Sequence, residues 1–265
     1  MGSGTAYLHG TSPAEQERLS LLNRLMNEAA LRELRLSGGE RIVDFGSGLG
    51  QLSLAMARVA GVELVGIERS EEQLARAPRD PLLDFRQGDV LHPPLRDDEW
   101  GTFDVAHARF VLEHVQDPLA VVRQMVRAAR PGGRVVLQDD DHDVFRAWPE
   151  PPGFPALWRA FQRSYDRIGC DPYVGRRLVS LLHQAGASPV RSTWISFGAC
   201  AGMPSWRGFI ENLTSQLATA RDGMVAAGLI EGDQADAALD ALRRWASRPD
   251  AAYWYSICWA EGART

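Results

Sequence analysis

Apolar positions in this chain recur with two rhythms. Between residues 42 and 138 short apolar runs alternate with amphipathic stretches. Ile42–Phe45, Glu63–Glu68, Leu82–Arg86, Phe103–Ala108 and Arg134–Gln138 read as strands, while Gln51–Ala60, Glu71–Ala77 and Pro118–Ala129 read as helices. Pro131-Gly132-Gly133 predicts a turn ahead of the fifth strand. Strands separated by helices predict βαβ units and a mostly parallel sheet, and right-handed crossovers put the helices on both faces. An N-terminal helix is signalled by Ser12 as N-cap, Pro13 at the first helical position and Glu15 closing a capping box. Leu19, Leu22, Leu25, Met26 and Ala29 then repeat at helical spacing, and Gly38-Gly39 ends the segment.

After Asp143 the pattern changes. Pro149, Pro151, Pro152 and Pro155 crowd one stretch and mark a boundary or an ordered loop. Helices are predicted over Ala156–Ile168 and Tyr173–Ala185, and strands over Pro189–Phe197 and Tyr253–Trp259. Between those strands, Trp206, Phe209, Ile210, Leu213, Leu217, Ala220, Met224 and Ala227 form one helical stripe, and Ala238, Leu239, Leu242 and Trp245 another. The expectation is an α/β fold, doubly wound, with a mostly parallel seven-stranded sheet, an N-terminal helix and a helical cap insert. We divide this single elaborated domain into an N-terminal segment (1–36), a ligand-binding core (37–143), a linker with helices (144–188) and the last two strands (189–265) with their insert at about 203–249.

Composition narrows the function classes. Of the 265 residues, 45% are hydrophobic and 24% charged, which is ordinary for a soluble globular protein. Acids outnumber bases 34 to 29, and no basic stripe offers itself to phosphates, so nucleic acid is not an expected partner. Cys170, Cys200 and Cys258 form no CxxC pair and read as small buried hydrophobes in a reducing compartment. No apolar run is long enough to span a membrane. The first residues lack a signal peptide's apolar run, and Ala6 stands where myristoylation wants Ser or Thr. A cytoplasmic location is expected.

The most informative segment is Asp44-Phe45-Gly46-Ser47-Gly48-Leu49-Gly50, between the first strand and the helix after it. Glycines there let a ligand approach the backbone, at the strand end where open α/β sheets bind ligands. A dinucleotide fingerprint would need glycine at 51, where Gln51 stands. Three acids follow at successive strand ends. Asp44 can reach an ammonium group, Glu68 can accept both hydroxyls of a ribose, and Asp89 in Gly88-Asp89-Val90 can accept from an adenine amino group. Together they match a cationic ligand carrying adenine, ribose and an amino acid, and they would repel a pyrophosphate.

On these residues, with Phe103–Val115 and Pro131-Gly132-Gly133, the chain resembles class I S-adenosylmethionine-dependent methyltransferases of the small-molecule type, strongly over about residues 36–140. The resemblance implies a Rossmann-like core and S-adenosylmethionine as cofactor. It implies a donor site drawing on Asp44, Phe45, Gly46, Ser47, Gly48, Glu68, Arg69, Gln73, Gly88, Asp89 and Val90, with Ala108 and Arg109 beside the cofactor. Tyr7 and Arg18 could close over it from the N-terminal segment.

Methyl transfer displaces a neutral thioether, so no acid is needed for the leaving group, and a base matters only where the acceptor loses a proton. His114 and His142 are the candidate catalytic residues, and no metal is assigned. His107 reads as structural, because strand alternation turns it from the ligand. The run Asp139-Asp140-Asp141-His142-Asp143 can cap a turn, hold a divalent cation, draw a cationic amine or supply a base. Seven of the eight tryptophans lie beyond residue 147, which fits core filling or a small apolar or aromatic acceptor in a capped pocket. A protein or RNA methyltransferase, a non-catalytic cofactor-binding regulator and, least of all, a nicotinamide oxidoreductase are the competing expectations.

Overall fold

The computed structural model describes residues 26–265. The expected capping residues Ser12, Pro13 and Glu15, and the candidates Tyr7 and Arg18, lie outside the described residues. The first described element, α1, is helical over 26–34, and Met26, Ala30 and Leu34 bury one stripe of it.

The central alternation forms as the periodicity predicts. β1 (Ile42–Phe45), α2 (Gln51–Ala60), β2 (Leu64–Glu68), α3 (Glu71–Arg76), β3 (Leu83–Gln87), β4 (Phe103–Arg109), α4 (Pro118–Ala128) and β5 (Ala129–Asp140) follow in order. β3, β2, β1, β4 and β5 lie side by side and pair in parallel. Alternate strand residues serve opposite faces. Ile42, Val105 and Val136 pack with α1 and α2, while Val43, Ala106 and Val135 pack with α4.

The rest of the chain adds β6 (Arg146–Trp148), α5 (Phe154–Ser164), α6 (Leu178–Gln184), β7 (Ala187–Cys200), α7 (Trp206–Ala226), α8 (Gly232–Ala246) and β8 (Ala252–Arg264). β8 runs antiparallel to β5 and β6 on one side and to β7 along its whole length on the other. The sheet therefore has eight strands, the seven expected ones plus the three-residue β6.

Three local expectations change. Pro131-Gly132-Gly133 lies inside β5 as an irregularity rather than ahead of it, because Ala129 already pairs with Phe103 before the register shifts. The helix expected from Tyr173 begins as a tight turn over Val174–Arg177 and becomes α-helical at Leu178. The helix expected to run to Ile168 leaves α-geometry after Ser164 and ends in a tight turn, Tyr165–Ile168.

α5, α7 and α8 share a third core, apart from the two that sandwich the sheet. Phe154, Leu157 and Phe161 meet Phe209, Leu213, Leu217, Leu239, Leu242 and Trp245 there, with Phe145 and Tyr253 from the sheet end.

Candidate functional site

The site is built where the parallel strands end. Gly46, Gly48 and Gly50 all take left-handed backbone, with φ of 78°, 56° and 69°. The turn they form is tied to β2, since the amides of Gly46 and Ser47 both donate to the carbonyl of Ile67 at 2.8 and 2.9 Å. A Cβ at Gly46 would strike Val111, and one at Gly50 would strike the ring of Phe85. The turn is thus wedged between β2, β3 and the segment after β4.

Glu68 links the first two strand ends. Its carboxylate accepts from the amide of Gly48 at 3.0 Å and from the amide of Ser70 at 2.8 Å. Burial pushes this carboxyl up, partly offset by those amides. An ionised carboxylate offers about four acceptor positions, so capacity remains for ribose hydroxyls. Ser70 caps α3, and Gln73 is buried in its first turn, close to the position a Cβ of Gly48 would take. Asp89 shapes the next turn by accepting from the amide of Leu91 at 2.9 Å.

Asp44 is almost fully buried and is held from behind. Ser53 donates to one oxygen at 2.5 Å, and Nδ1 of His107 lies 2.8 Å from the other. Arg109, at the end of β4, donates to Asn27 at 2.9 Å. Burial lowers the Arg109 guanidinium to about 10, against the pull of Asp44. Phe110 follows in left-handed backbone, at φ 54°, which is strained for an aromatic residue.

These groups surround one cavity of about 520 Å³. Of the expected donor residues, Asp44, Gly46, Ser47 and Gly48 line it from the first turn, and Glu68, Arg69 and Gln73 from the second. Asp89, Val90 and Arg109 complete that set. Phe45 and Ala108 do not line it, being buried in the core beneath, and Gly88 packs against Pro94 instead. His107, Phe110, Val111 and Val115 line it without having been expected to. For His107 a signal existed: it lies two residues before Arg109, so strand alternation gives both the same face.

The two catalytic candidates separate. His114 lines the cavity, and its Nε2 lies 3.4 Å from Glu113. His142 is buried behind it, with Nε2 3.3 Å from the other oxygen of Glu113 and 3.7 Å from Asp140. Burial works against a charge on His142, but hydrogen bonds and attraction from Asp140 and Glu113 outweigh it and raise the imidazole to about 10. A value raised in this way favours the protonated ring. Glu113, Asp140 and His142 also bring three ligand-type atoms within 4.8 Å of one another.

The remaining acids of that run are structural. Asp139 accepts from the amides of Val111 and Leu112 at 3.1 and 2.8 Å, and burial beside Glu113 and Asp140 pushes it up. Asp141 and Asp143 share Arg176. None of the tryptophans lines the cavity, and neither do α7 and α8. Trp206 and Trp245 fill the third core, so aromatic content there reflects packing rather than a pocket wall.

Comparison with known proteins agrees with this architecture. A family model described as a methyltransferase domain matches residues 15–192. The 27-O-demethylrifamycin SV methyltransferase of Amycolatopsis mediterranei (strain S699) is 32% identical over 155 residues, covering 56% of this chain and 54% of its own length. The chain thus spans about half of that relative. Among solved structures, the [4+2]-cyclase SpnF superposes with a TM-score of 0.52 at 22% identity, covering 90% of this chain and 80% of that one. The geranyl diphosphate C-methyltransferase of Streptomyces coelicolor A3(2), in complex with Mg2+, geranyl-S-thiolodiphosphate and S-adenosyl-L-homocysteine, gives 0.53 at 16% identity, covering 92% and 77%. At these identities the two structures share the fold.

Proposed function

The chain belongs to the class I S-adenosylmethionine-dependent methyltransferases, and we propose that it moves the donor's methyl group to a hydroxyl oxygen of a small organic molecule. One observation carries this: three acids from three strand ends line the same cavity as His114 and His107. Glu68 takes the ribose hydroxyls, Asp89 the adenine amino group, and Asp44 the ammonium of the methionine portion. Arg109 takes its carboxylate. When bound, the donor supplies an electrophilic methyl on a sulfonium, which leaves as a neutral thioether.

The protein's own contribution is then orientation and a proton acceptor. His114, beside Glu113, receives the hydroxyl proton as the acceptor oxygen attacks, and the carboxylate at 3.4 Å stabilises the imidazolium that results. Leu49, Leu52, Phe110, Val111 and Val115 supply an apolar wall that favours an apolar acceptor and limits water. The relative acting on a rifamycin precursor supports a small-molecule acceptor. A fold shared with a cyclase means that chemistry must be read from product.

The test is to incubate the protein with methyl-13C donor and a panel of phenols, polyketide alcohols, amines, peptides and tRNA. Label in an O-methyl product from an alcohol or phenol supports the proposal. Label only in peptide or RNA, or only on carbon or nitrogen, overturns it.

A further inference from the structure

A donor ammonium needs a carboxylate that does not turn away, and the sheet itself provides for this. Asp44 on β1 and His107 on β4 are register partners in a parallel pair, so their side chains leave the same face. Nδ1 of His107 lies 2.8 Å from Asp44, and its Nε2 lies 2.7 Å from Nε2 of Gln138 on β5. An ionised carboxylate only accepts, so the ring donates from Nδ1 to Asp44, while its far nitrogen rests against the side-chain amide of Gln138. Ser53 from α2 donates to the remaining oxygen. His107, Gln138 and Ser53 are fully buried and Asp44 nearly so, which shields these contacts from bulk solvent.

We propose that His107 is a positioning residue for the methyl donor: held in place by Gln138, it donates from Nδ1 to Asp44 and fixes that carboxylate toward the donor's ammonium. This rests on the donor site described above. A hydrogen bond from Nδ1 satisfies the buried carboxylate and keeps its side chain from turning away from the ammonium.

The test compares two ligands by calorimetry. S-adenosylhomocysteine carries the amino-acid portion, and 5′-methylthioadenosine lacks it. His107→Leu is expected to weaken S-adenosylhomocysteine at least about tenfold while changing 5′-methylthioadenosine less than about twofold. His107→Asn, which keeps a donor, is expected to restore most of the loss. Gln138→Leu, which removes the contact to the far edge of the ring without removing the ring, is expected to weaken the same ligand selectively. In unmodified protein the 15N shift of His107 Nδ1 is expected to show that nitrogen protonated. Equal weakening of both ligands, no weakening of either, or an unprotonated Nδ1 would overturn the proposal. If the unmodified protein binds neither ligand, the donor site itself is wrong and the positioning role falls with it.

Discussion

Phe85 on β3 occupies the space that any side chain at Gly50 would need, and it does the same for Gly66, its register partner on β2. The ring closes the gap beneath the turn that three left-handed glycines create. Gly50→Ala should therefore cost twice over: about 1–2 kcal/mol for left-handed backbone and about 1–3 kcal/mol for overpacking. Adding Phe85→Leu should recover the second part and not the first. Denaturant unfolding of the single and double variants measures both, and a single variant within about 0.5 kcal/mol of the parent would contradict the packing described.

Glu68 tests the donor site from the ribose side. Glu68→Ala should weaken S-adenosylhomocysteine at least about tenfold, or roughly 1.4 kcal/mol. Glu68→Gln should lie between, because an amide keeps one acceptor oxygen but not the charge. The expected change in unfolding temperature is small, since the Gly48 and Ser70 amides released lie beside an open cavity and can turn to water.

Glu99 tests the stability of the sheet edge. It is 1% exposed and meets Arg86 at 2.6 Å, with Arg41 and Arg96 close by. Hydrogen bonding to Arg86, against the penalty of burial, holds the carboxyl at about 2 rather than the ordinary 4.5. A lowered value in the folded state means stability that is present above 4.5 and is lost as pH falls toward 2. Arg86→Met removes the bidentate partner of Glu99 and leaves it to Arg96 and Arg41, so it should destabilise by about 1–3 kcal/mol at neutral pH. It should also flatten the acid limb of the unfolding profile. An unchanged profile would show that the pair does not carry that limb.

His142 behaves in the opposite sense. Its value, raised to about 10, means that the stability from its charge is complete below about 6.5 and declines as pH rises from there to about 10. Its ring resonances should hold still between pH 6 and 8 while an exposed histidine titrates. Titration of His142 near 6.5 would contradict the buried ion cluster with Glu113 and Asp140.

How far the sequence could be read depended on how local each signal was. β1, α2 and the glycine turn are written in neighbouring residues, and Gln51–Ala60 forms with the expected ends. β6 has only three residues, too few for a period, and is held by pairing with β8, which lies a hundred positions away. β8 extends beyond its apolar run to Arg264 because pairing with β5 and β7 continues through polar positions. Asp44, Glu68 and Asp89 were legible as strand-end acids because each sits next to a recognisable turn, and all three line the cavity. The spacing of His107 from Arg109 marks the cavity face, but its pairing with Asp44 was not legible, since register is set by the whole sheet. The partners of His142 are Glu113, from the segment after β4, and Asp140, the last residue of β5, and nothing in their spacing predicts the raised value.

The most direct measurement of the central claim is calorimetric titration of the folded protein with S-adenosylmethionine and S-adenosylhomocysteine. Saturable binding of one equivalent of each is expected, lost or sharply weakened in Glu68→Ala. Absence of heat with either compound, or tighter binding of a nicotinamide dinucleotide, would contradict the assignment of this cavity to a methyl donor.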